Sequence, residues 1–299
     1  MKQLFETIIQ EMPELNIHRD EPMHSHCSFR IGGPADIFVL PKDEKELSAV
    51  LAILRREGVK PFILGNGTNL LVRDEGIRGV VIKLAAGFDT VERSGNTVYA
   101  GCGATLARTA VFAQNNGLGG MEFAHGIPGS VGGGVFMNAG AYGGEISQIC
   151  KRVTVMTHEG KLRELTAEEM DFSYRHSRVM DSGEIVVSAV FTLTKGKTEQ
   201  IKAVMKDLMN RRSSSQPLDL PSAGSAFKRP VGNYAGALIE QAGLKGYQVG
   251  KAAISTKHAG FAVNLGGATA ADVKNLLCQV SDIVYERSGF RLEPEVQIW

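Results

Sequence analysis

From His125 to Glu145 the chain reads His-Gly-Ile-Pro-Gly-Ser-Val-Gly-Gly-Gly-Val-Phe-Met-Asn-Ala-Gly-Ala-Tyr-Gly-Gly-Glu, and eight of the nineteen residues from Gly126 to Gly144 are glycine. Every ordered glycine costs backbone entropy and contributes no side-chain burial. A run this dense is therefore either disordered or built so that something can lie against bare backbone. Disorder fits poorly, because Ile127, Val131, Val135, Phe136 and Met137 punctuate the run and can anchor it in a core. A phosphate-bearing ligand held by successive backbone N–H groups fits better. The plain alternative is a tight glycine loop that holds nothing.

A second glycine turn, Gly65-Asn66-Gly67-Thr68-Asn69, lies well upstream. Neither segment is a G-x-G-x-x-G fingerprint between a strand and a helix, and neither is followed by G-K-[ST]. Two separate backbone cradles suggest an extended ligand carrying a diphosphate, such as a dinucleotide. The rest of the composition narrows the setting. With 33 basic and 32 acidic residues the net charge is +1, which argues against nonspecific nucleic-acid binding by clustered Lys and Arg. Apolar residues are 43% of 299, enough for a buried core and for two or three domains. Cys27, Cys102, Cys150 and Cys278 are scattered, with no C-x-x-C pair and no Cys/His cluster at zinc spacing. Reduced thiols, a cytoplasmic location and no metal site are expected. The N-terminus carries acids within its apolar stretch and reads as an amphipathic helix, not a signal peptide. No apolar run is long enough to span a bilayer.

Hydrophobic spacing predicts helices over 44–57, with Asp43 as cap, over about 104–116, and from Thr269 to about Arg287. Thr269 and Asp272 have capping-box spacing. Strands are predicted at 62–64, 70–72, 79–84, 90–92, 97–100, 153–157, 185–194 and 261–264, with a hairpin turn at His158–Lys161. A helix near 234–242 is also expected. Lys195-Gly196-Lys197 reads as a linker and Arg211–Pro217 as loop. This pattern is α+β in three units: 1–85, 86–197 and 198–299.

Three further segments could carry chemistry. In Gly224-Ser225-Ala226-Phe227-Lys228-Arg229 a serine on a predicted tight turn stands beside two cations; an ordinary surface turn is the alternative. Alternation along Arg291–Trp299 puts Glu293, Glu295 and Gln297 on one strand face, either solvated or including a buried acid. Arg175 follows Tyr174, and an arginine fork matches both oxygens of a substrate carboxylate, although a surface salt bridge would explain it as well. No G-x-S-x-G elbow supports hydrolase chemistry.

Taken in order, Ser28-Phe29-Arg30-Ile31-Gly32-Gly33-Pro34-Ala35-Asp36, the turn at 65–70, Gly126-Ile127-Pro128-Gly129-Ser130-Val131-Gly132-Gly133, Asn138-Ala139-Gly140-Ala141-Tyr142-Gly143, Tyr174-Arg175, Gly224–Lys228 and Leu292-Glu293-Pro294-Glu295-Val296 resemble the UDP-N-acetylenolpyruvoylglucosamine reductase family over nearly the whole chain. The resemblance implies a two-subdomain FAD-binding module of the vanillyl-alcohol-oxidase type (1–85 and 86–197). A C-terminal α+β substrate-binding domain (198–299) follows, whose last strand can return to the FAD module. Noncovalent FAD would lie along Gly65, Asn66, Gly67, Thr68 and Asn69, along Gly126, Ile127, Pro128, Gly129, Ser130, Gly132 and Gly133, and along Asn138, Ala139 and Gly140, with Arg30, Gly32 and Gly33 nearby.

The implied reaction uses NADPH as hydride donor and reduces UDP-N-acetylglucosamine enolpyruvate to UDP-N-acetylmuramate for peptidoglycan. Arg175 and Glu295 would stabilise the enolate-like state and Ser225 would protonate carbon. Tyr174, Lys228 and Arg229 would contact substrate. No room exists after Arg178 for the tyrosine-bearing insertion of one branch, so the chain resembles the shorter branch. Ser215 and Ala253 replace the lysine and glutamine common in relatives, which shifts phosphate binding toward Lys228, Arg229 or Arg212. The rivals are an oxygen-using alcohol or sugar oxidase of the same fold and a nonenzymatic nucleotide-binding protein. Ser225 and Glu295 in their motifs speak against the first. The Arg/Ser/Glu trio speaks against the second.

Overall fold

The computed structural model describes residues 1–299 and divides into two compact units. The first comprises Met1–Arg19, Ile37–Asn66 and Gly79–Arg211; the second comprises Asp20–Asp36, Gly67–Arg78 and Arg212–Trp299. Each has its own apolar core.

In the first unit the helix Glu44–Arg56 starts where the Asp43 carboxylate accepts the Glu46 N–H. That removes one of the orphan donors of a helix start. Its periodic Leu47, Val50, Leu51 and Leu54 are all buried. A four-stranded sheet runs in the order Asn16–Pro22, Pro34–Leu40, Ile77–Lys83, Phe62–Leu64, and the last pair is parallel. A five-stranded antiparallel sheet has the order Leu162–Thr166, Cys150–Met156, Ile185–Thr192, Thr97–Gly101, Val91–Ser94. Ile185–Thr192 is its central strand and is buried from Ile185 to Phe191. Burial on both faces explains why its sequence is continuously apolar and β-branched instead of alternating. The expected linker at 195–197 is shorter than predicted, since Thr194–Lys195 pairs with Leu118–Gly119.

The second unit packs the helices Ala235–Gln241 and Ala270–Ser288 with a sheet ordered Ser222–Ser225, Phe261–Asn264, Ala252–Ile254, Gln248–Val249. The long helix turns Val273, Leu276, Leu277, Val280 and Val284 inward. Its capping box at Thr269 and Asp272 forms in both directions, and the Asp74 carboxylate takes the N–H groups of Ala270 and Ala271. Gln297–Ile298 pairs in parallel with Leu70–Leu71.

Two expectations are corrected. The stretch Arg211–Ser215 is not loop: the helix Thr198–Ser215 runs through it. Serine is a tolerable helix residue, and the actual stop is Pro217, which restricts the backbone before it. The terminal segment is not one continuous strand, because only Gln297–Ile298 is regular strand and Pro294 forms an isolated bridge with Phe227.

Candidate active site

Gly65 and Asn66, which open the first glycine segment, meet the second segment inside the first unit. Asn66 Nδ2 donates to the Pro128 carbonyl at 3.3 Å. A Cβ on Gly65 would sit 2.4 Å from Ser130 Oγ. Ser130 is 1% exposed and caps the short helix Val131–Phe136, its Oγ accepting the Gly133 N–H at 3.2 Å. The helix start is not where free donors lie. Val131 N–H goes to Ala104 O, Gly132 N–H to Cys102 O and Gly134 N–H to Ser130 O. The donors of this unit left without a backbone acceptor are those of Gly65 and Asn66 in one segment and of Gly126, Gly129 and Ser130 in the other; in the second unit those of Gly67 and Thr68 also lack one. His125, next to them, buries Nδ1 with no hydrogen-bond partner. Clustered free N–H groups, bare glycine and a buried orphan nitrogen fit a polyanionic cofactor.

Not every glycine of the run faces that space. A Cβ on Gly132 would meet Cys102 Cβ at 2.8 Å, and one on Gly134 would meet Leu106 Cδ1 at 3.0 Å. These two let the helix approach the sheet closely. Burial there pushes the Cys102 thiol up to about 12, so it stays protonated and inert.

Asn138 follows the helix and is 1% exposed, with left-handed backbone at φ +42°. Its Nδ2 donates to Ser173 O at 3.0 Å, and its Oδ1 accepts Ser147 N–H at 2.9 Å. Asn138 thereby ties the end of the glycine run to the Tyr174–Arg175 loop. Ser177, fully buried, adds a bond to Phe136 O. Gly140 pairs with Glu145, and its carbonyl accepts Arg175 Nη2 at 3.3 Å. The Arg175 guanidinium lies 4.9 Å from the Tyr174 ring centroid, and Tyr174 is exposed. The loop thus presents a half-buried cation backed by an aromatic face.

In the second unit Arg30, at φ +55°, sits between the buried side chains of Phe29 and Ile31. Gly32 and Gly33 pack on the 72–74 backbone: added Cβ atoms would lie 2.5 Å from Val72 Cβ and 2.2 Å from Asp74 O. Ser28, which opens the motif, and Asn264, neither of which the sequence alone gives a role, hold this segment. Ser28 Oγ donates to Ser222 O at 2.6 Å, and Asn264 Nδ2 donates to Phe29 O at 3.1 Å. The available signal was a polar asparagine closing the apolar strand Phe261–Asn264.

Ser225 is exposed and ends a strand whose register shifts between Ser222 and Ser225. The expected tight turn is instead this bulge, with Gly224 at φ +76°. Beyond it Ala226–Lys228 runs antiparallel to Glu293–Glu295. Glu295 N–H donates to Ala226 O at 3.0 Å, Phe227 bridges Pro294, and Lys228 N–H donates to Glu293 O at 2.8 Å. Asn69 Nδ2 donates to Glu295 O at 3.0 Å. Glu293 is exposed and pairs with Lys228 Nζ, whereas Glu295 is half-buried. Arg229 stacks 4.0 Å from the Tyr234 ring centroid. No group of three His, Cys, Asp or Glu is placed to hold a metal ion.

Comparison with known proteins decides the family. Residues 216–299 match the C-terminal domain of UDP-N-acetylenolpyruvoylglucosamine reductase, and residues 35–166 match an FAD binding domain. The chain is 47% identical over 291 residues to the UDP-N-acetylenolpyruvoylglucosamine reductase of Levilactobacillus brevis, covering 97% of this chain and 95% of that protein. It is 46% identical over 311 residues to that of Agathobacter rectalis, covering 100% and 99%. The chain belongs to the UDP-N-acetylenolpyruvoylglucosamine reductase family. The crystal structure of the Thermus caldophilus reductase superposes with a TM-score of 0.82 at 36% identity, covering 96% of this chain and 99% of that one. As a member of this reductase family the chain is an FAD-dependent oxidoreductase, with an FAD-binding module followed by the family's C-terminal domain. No helix is long and apolar enough to cross a membrane.

Proposed function

We propose that this chain catalyses the NADPH-dependent reduction of UDP-N-acetylglucosamine enolpyruvate to UDP-N-acetylmuramate, a cytoplasmic step of peptidoglycan precursor synthesis. The relatives' names supply the substrate. The observation that carries the chemistry is the pairing of Ala226–Lys228 with Glu293–Glu295, in which the carbonyl of Ala226, the residue after Ser225, accepts the Glu295 N–H.

FAD, when bound, supplies a two-electron step, taking hydride from NADPH and giving it to the methylene carbon of the enolpyruvyl ether. The free N–H groups of Gly65 to Thr68 and of Gly126, Gly129 and Ser130 would hold FAD, with Asn138, Ala139 and Gly140 and also Arg30 to Gly33 assigned to the same cofactor. Residues 1–85 and 86–197 supply that cradle, and 198–299 supply the substrate side. Arg175 takes the substrate carboxylate through its planar fork, oriented by Tyr174 and the Gly140 carbonyl. Glu295, as its acid form, and Arg175 stabilise the negative charge that develops on the neighbouring carbon and its carboxylate. Ser225 then delivers its hydroxyl proton to that carbon, a transfer that needs a positioned donor because a free serine is a poor acid. Lys228 and Arg229 supply positive charge for the uridine diphosphate.

The deciding experiment separates the half-reactions. In wild type, anaerobic NADPH bleaches the flavin absorbance and the enolpyruvyl substrate restores it. Ser225→Ala keeps the first step and slows the second by about a thousandfold or more, if proton delivery is the serine's role. Equal losses in both steps would reject that role. A reduced flavin that ignores the substrate and reoxidises rapidly in oxygen would move the chain to the oxidase reading.

A further inference from the structure

Between the strands Ala252–Ile254 and Phe261–Asn264 the chain makes a short connection whose groups are nearly all spoken for. The buried Ser255 Oγ accepts the N–H of Lys257 at 3.1 Å and of His258 at 3.2 Å. His258 Nδ1 accepts the Gly260 N–H at 3.0 Å. Gly260 O accepts the Ala226 N–H at 2.8 Å, and Ala226 O accepts the Glu295 N–H at 3.0 Å. Contacts therefore pass from one imidazole nitrogen through the Gly260 residue to Ala226 and on to Glu295, each residue using its N–H toward one neighbour and its C=O toward the other. The Ala226 N–H belongs to the peptide unit that leaves Ser225, and Gly260 O holds it; the Ala226 carbonyl, in the next peptide unit, is held by Glu295.

The ring itself is held. It stands edge-on to Phe261 with centroids 5.1 Å apart, and a Cβ on Gly260 would lie 3.1 Å from its Cε1 and Nδ1. Gly236 of the helix Ala235–Gln241 packs within reach of Cε1. We propose that His258 is a positioning residue, whose unprotonated Nδ1 sets the Gly260 peptide and through it the orientation of Ser225 for proton delivery.

The proposal rests on the assignment of proton return to Ser225. A backbone N–H can only donate, so Nδ1 must keep its lone pair and Nε2 carries the proton of the neutral ring. The charged groups bearing on the ring are Lys245 and Glu240. Burial is the main influence and holds the His258 pKa below its ordinary 6.5; a hydrogen bond to its own backbone opposes most strongly, Lys245 pushes further down, and Glu240 pushes up. Protonation would set two donors against each other at the Gly260 N–H, and the clamp on Ala226 would loosen. Acid pH should therefore slow the step that Ser225 serves and leave hydride entry alone.

The test uses holoenzyme with wild type, His258→Asn and His258→Ala. Asparagine places Oδ1 where Nδ1 stands and does not titrate. Reduction by NADPH and reoxidation by UDP-N-acetylglucosamine enolpyruvate are followed separately by stopped flow from pH 5.5 to 8.5, and Gly260 and Ala226 amide exchange by NMR. In wild type, reoxidation falls toward the acid end of the range, at a pH below that at which an ordinary imidazole protonates, while reduction does not follow it. His258→Asn keeps the neutral-pH rate and loses that acid limb. His258→Ala loses about tenfold in reoxidation at neutral pH, the scale of one hydrogen bond, and both amides exchange faster. An acid limb that persists in His258→Asn, equal losses in both half-reactions of His258→Ala, or unchanged amide exchange would overturn the proposal. If wild type is never reoxidised by the substrate, the functional reading fails, and amide exchange still judges the clamp.

Discussion

Glycine is used in two different ways in the two regions assigned to this chemistry. Around Ser130 it makes room. Gly65, Gly132 and Gly134 have no left-handed backbone, yet an added methyl would meet Ser130 Oγ, Cys102 Cβ or Leu106 Cδ1 at 3.0 Å or less. Before Ser225 it makes a bend. Gly224 has φ +76°, and nothing lies within 4 Å of where its Cβ would be. At these three positions the backbone must pass close to Ser130, Cys102 and Leu106, so volume is the constraint. A proton donor must be aimed, so backbone conformation is the constraint. The difference predicts that the first region rejects substitutions by size and the second by backbone preference.

The largest expected effect tests the volume argument. Gly65→Ala forces Ser130 Oγ off the Gly133 N–H in a site that is almost fully buried. Overpacking together with loss of a helix cap costs about 2–3 kcal/mol. A lower thermal midpoint and weaker FAD binding, read by flavin fluorescence in titration, are the outcomes. Ser130→Ala alone loses the cap and costs about 1–2 kcal/mol. The pair sharpens the comparison: with Ser130 Oγ gone the clash is relieved, so the double variant is more stable than the sum of the two losses implies. Strict additivity would show that Gly65 is not there to clear Ser130.

Much of this was legible in local sequence. The Asp43 cap, the Thr269–Asp272 capping box and the hairpin at His158–Lys161 each depend on residues a few positions apart, and all three form. The two glycine segments stand out locally for the same reason. Which of their N–H groups lack a backbone acceptor does not, because Val131 and Gly132 give theirs to Ala104 and Cys102, partners remote in the local pattern. The assembly of the second unit from three separate stretches was equally hidden. It depends on pairings such as Gln297–Ile298 with Leu70–Leu71, more than 200 residues away. The bulge at Ser222–Ser225 is set by the opposite strand Phe261–Val263, so alone the segment reads as a turn. The helix end at Ser215 was misread because serine favours loops only weakly, whereas Pro217 dictates the stop.

The smallest effect is the most discriminating. Gly224→Ala places a methyl in open space, so no volume penalty applies, and only the left-handed backbone is charged, at about 1 kcal/mol. Asparagine tolerates that conformation better, so Gly224→Asn should cost less than Gly224→Ala although its side chain is larger. Around Gly65 the order must be the reverse, with asparagine worse than alanine. Both Gly224 variants retain FAD, since the cradle is untouched, and any kinetic loss falls on substrate-dependent reoxidation. Chemical denaturation of the four variants reads the order directly. A common order at both sites, by size alone, would mean that Ser225 is held by packing and not aimed by its backbone.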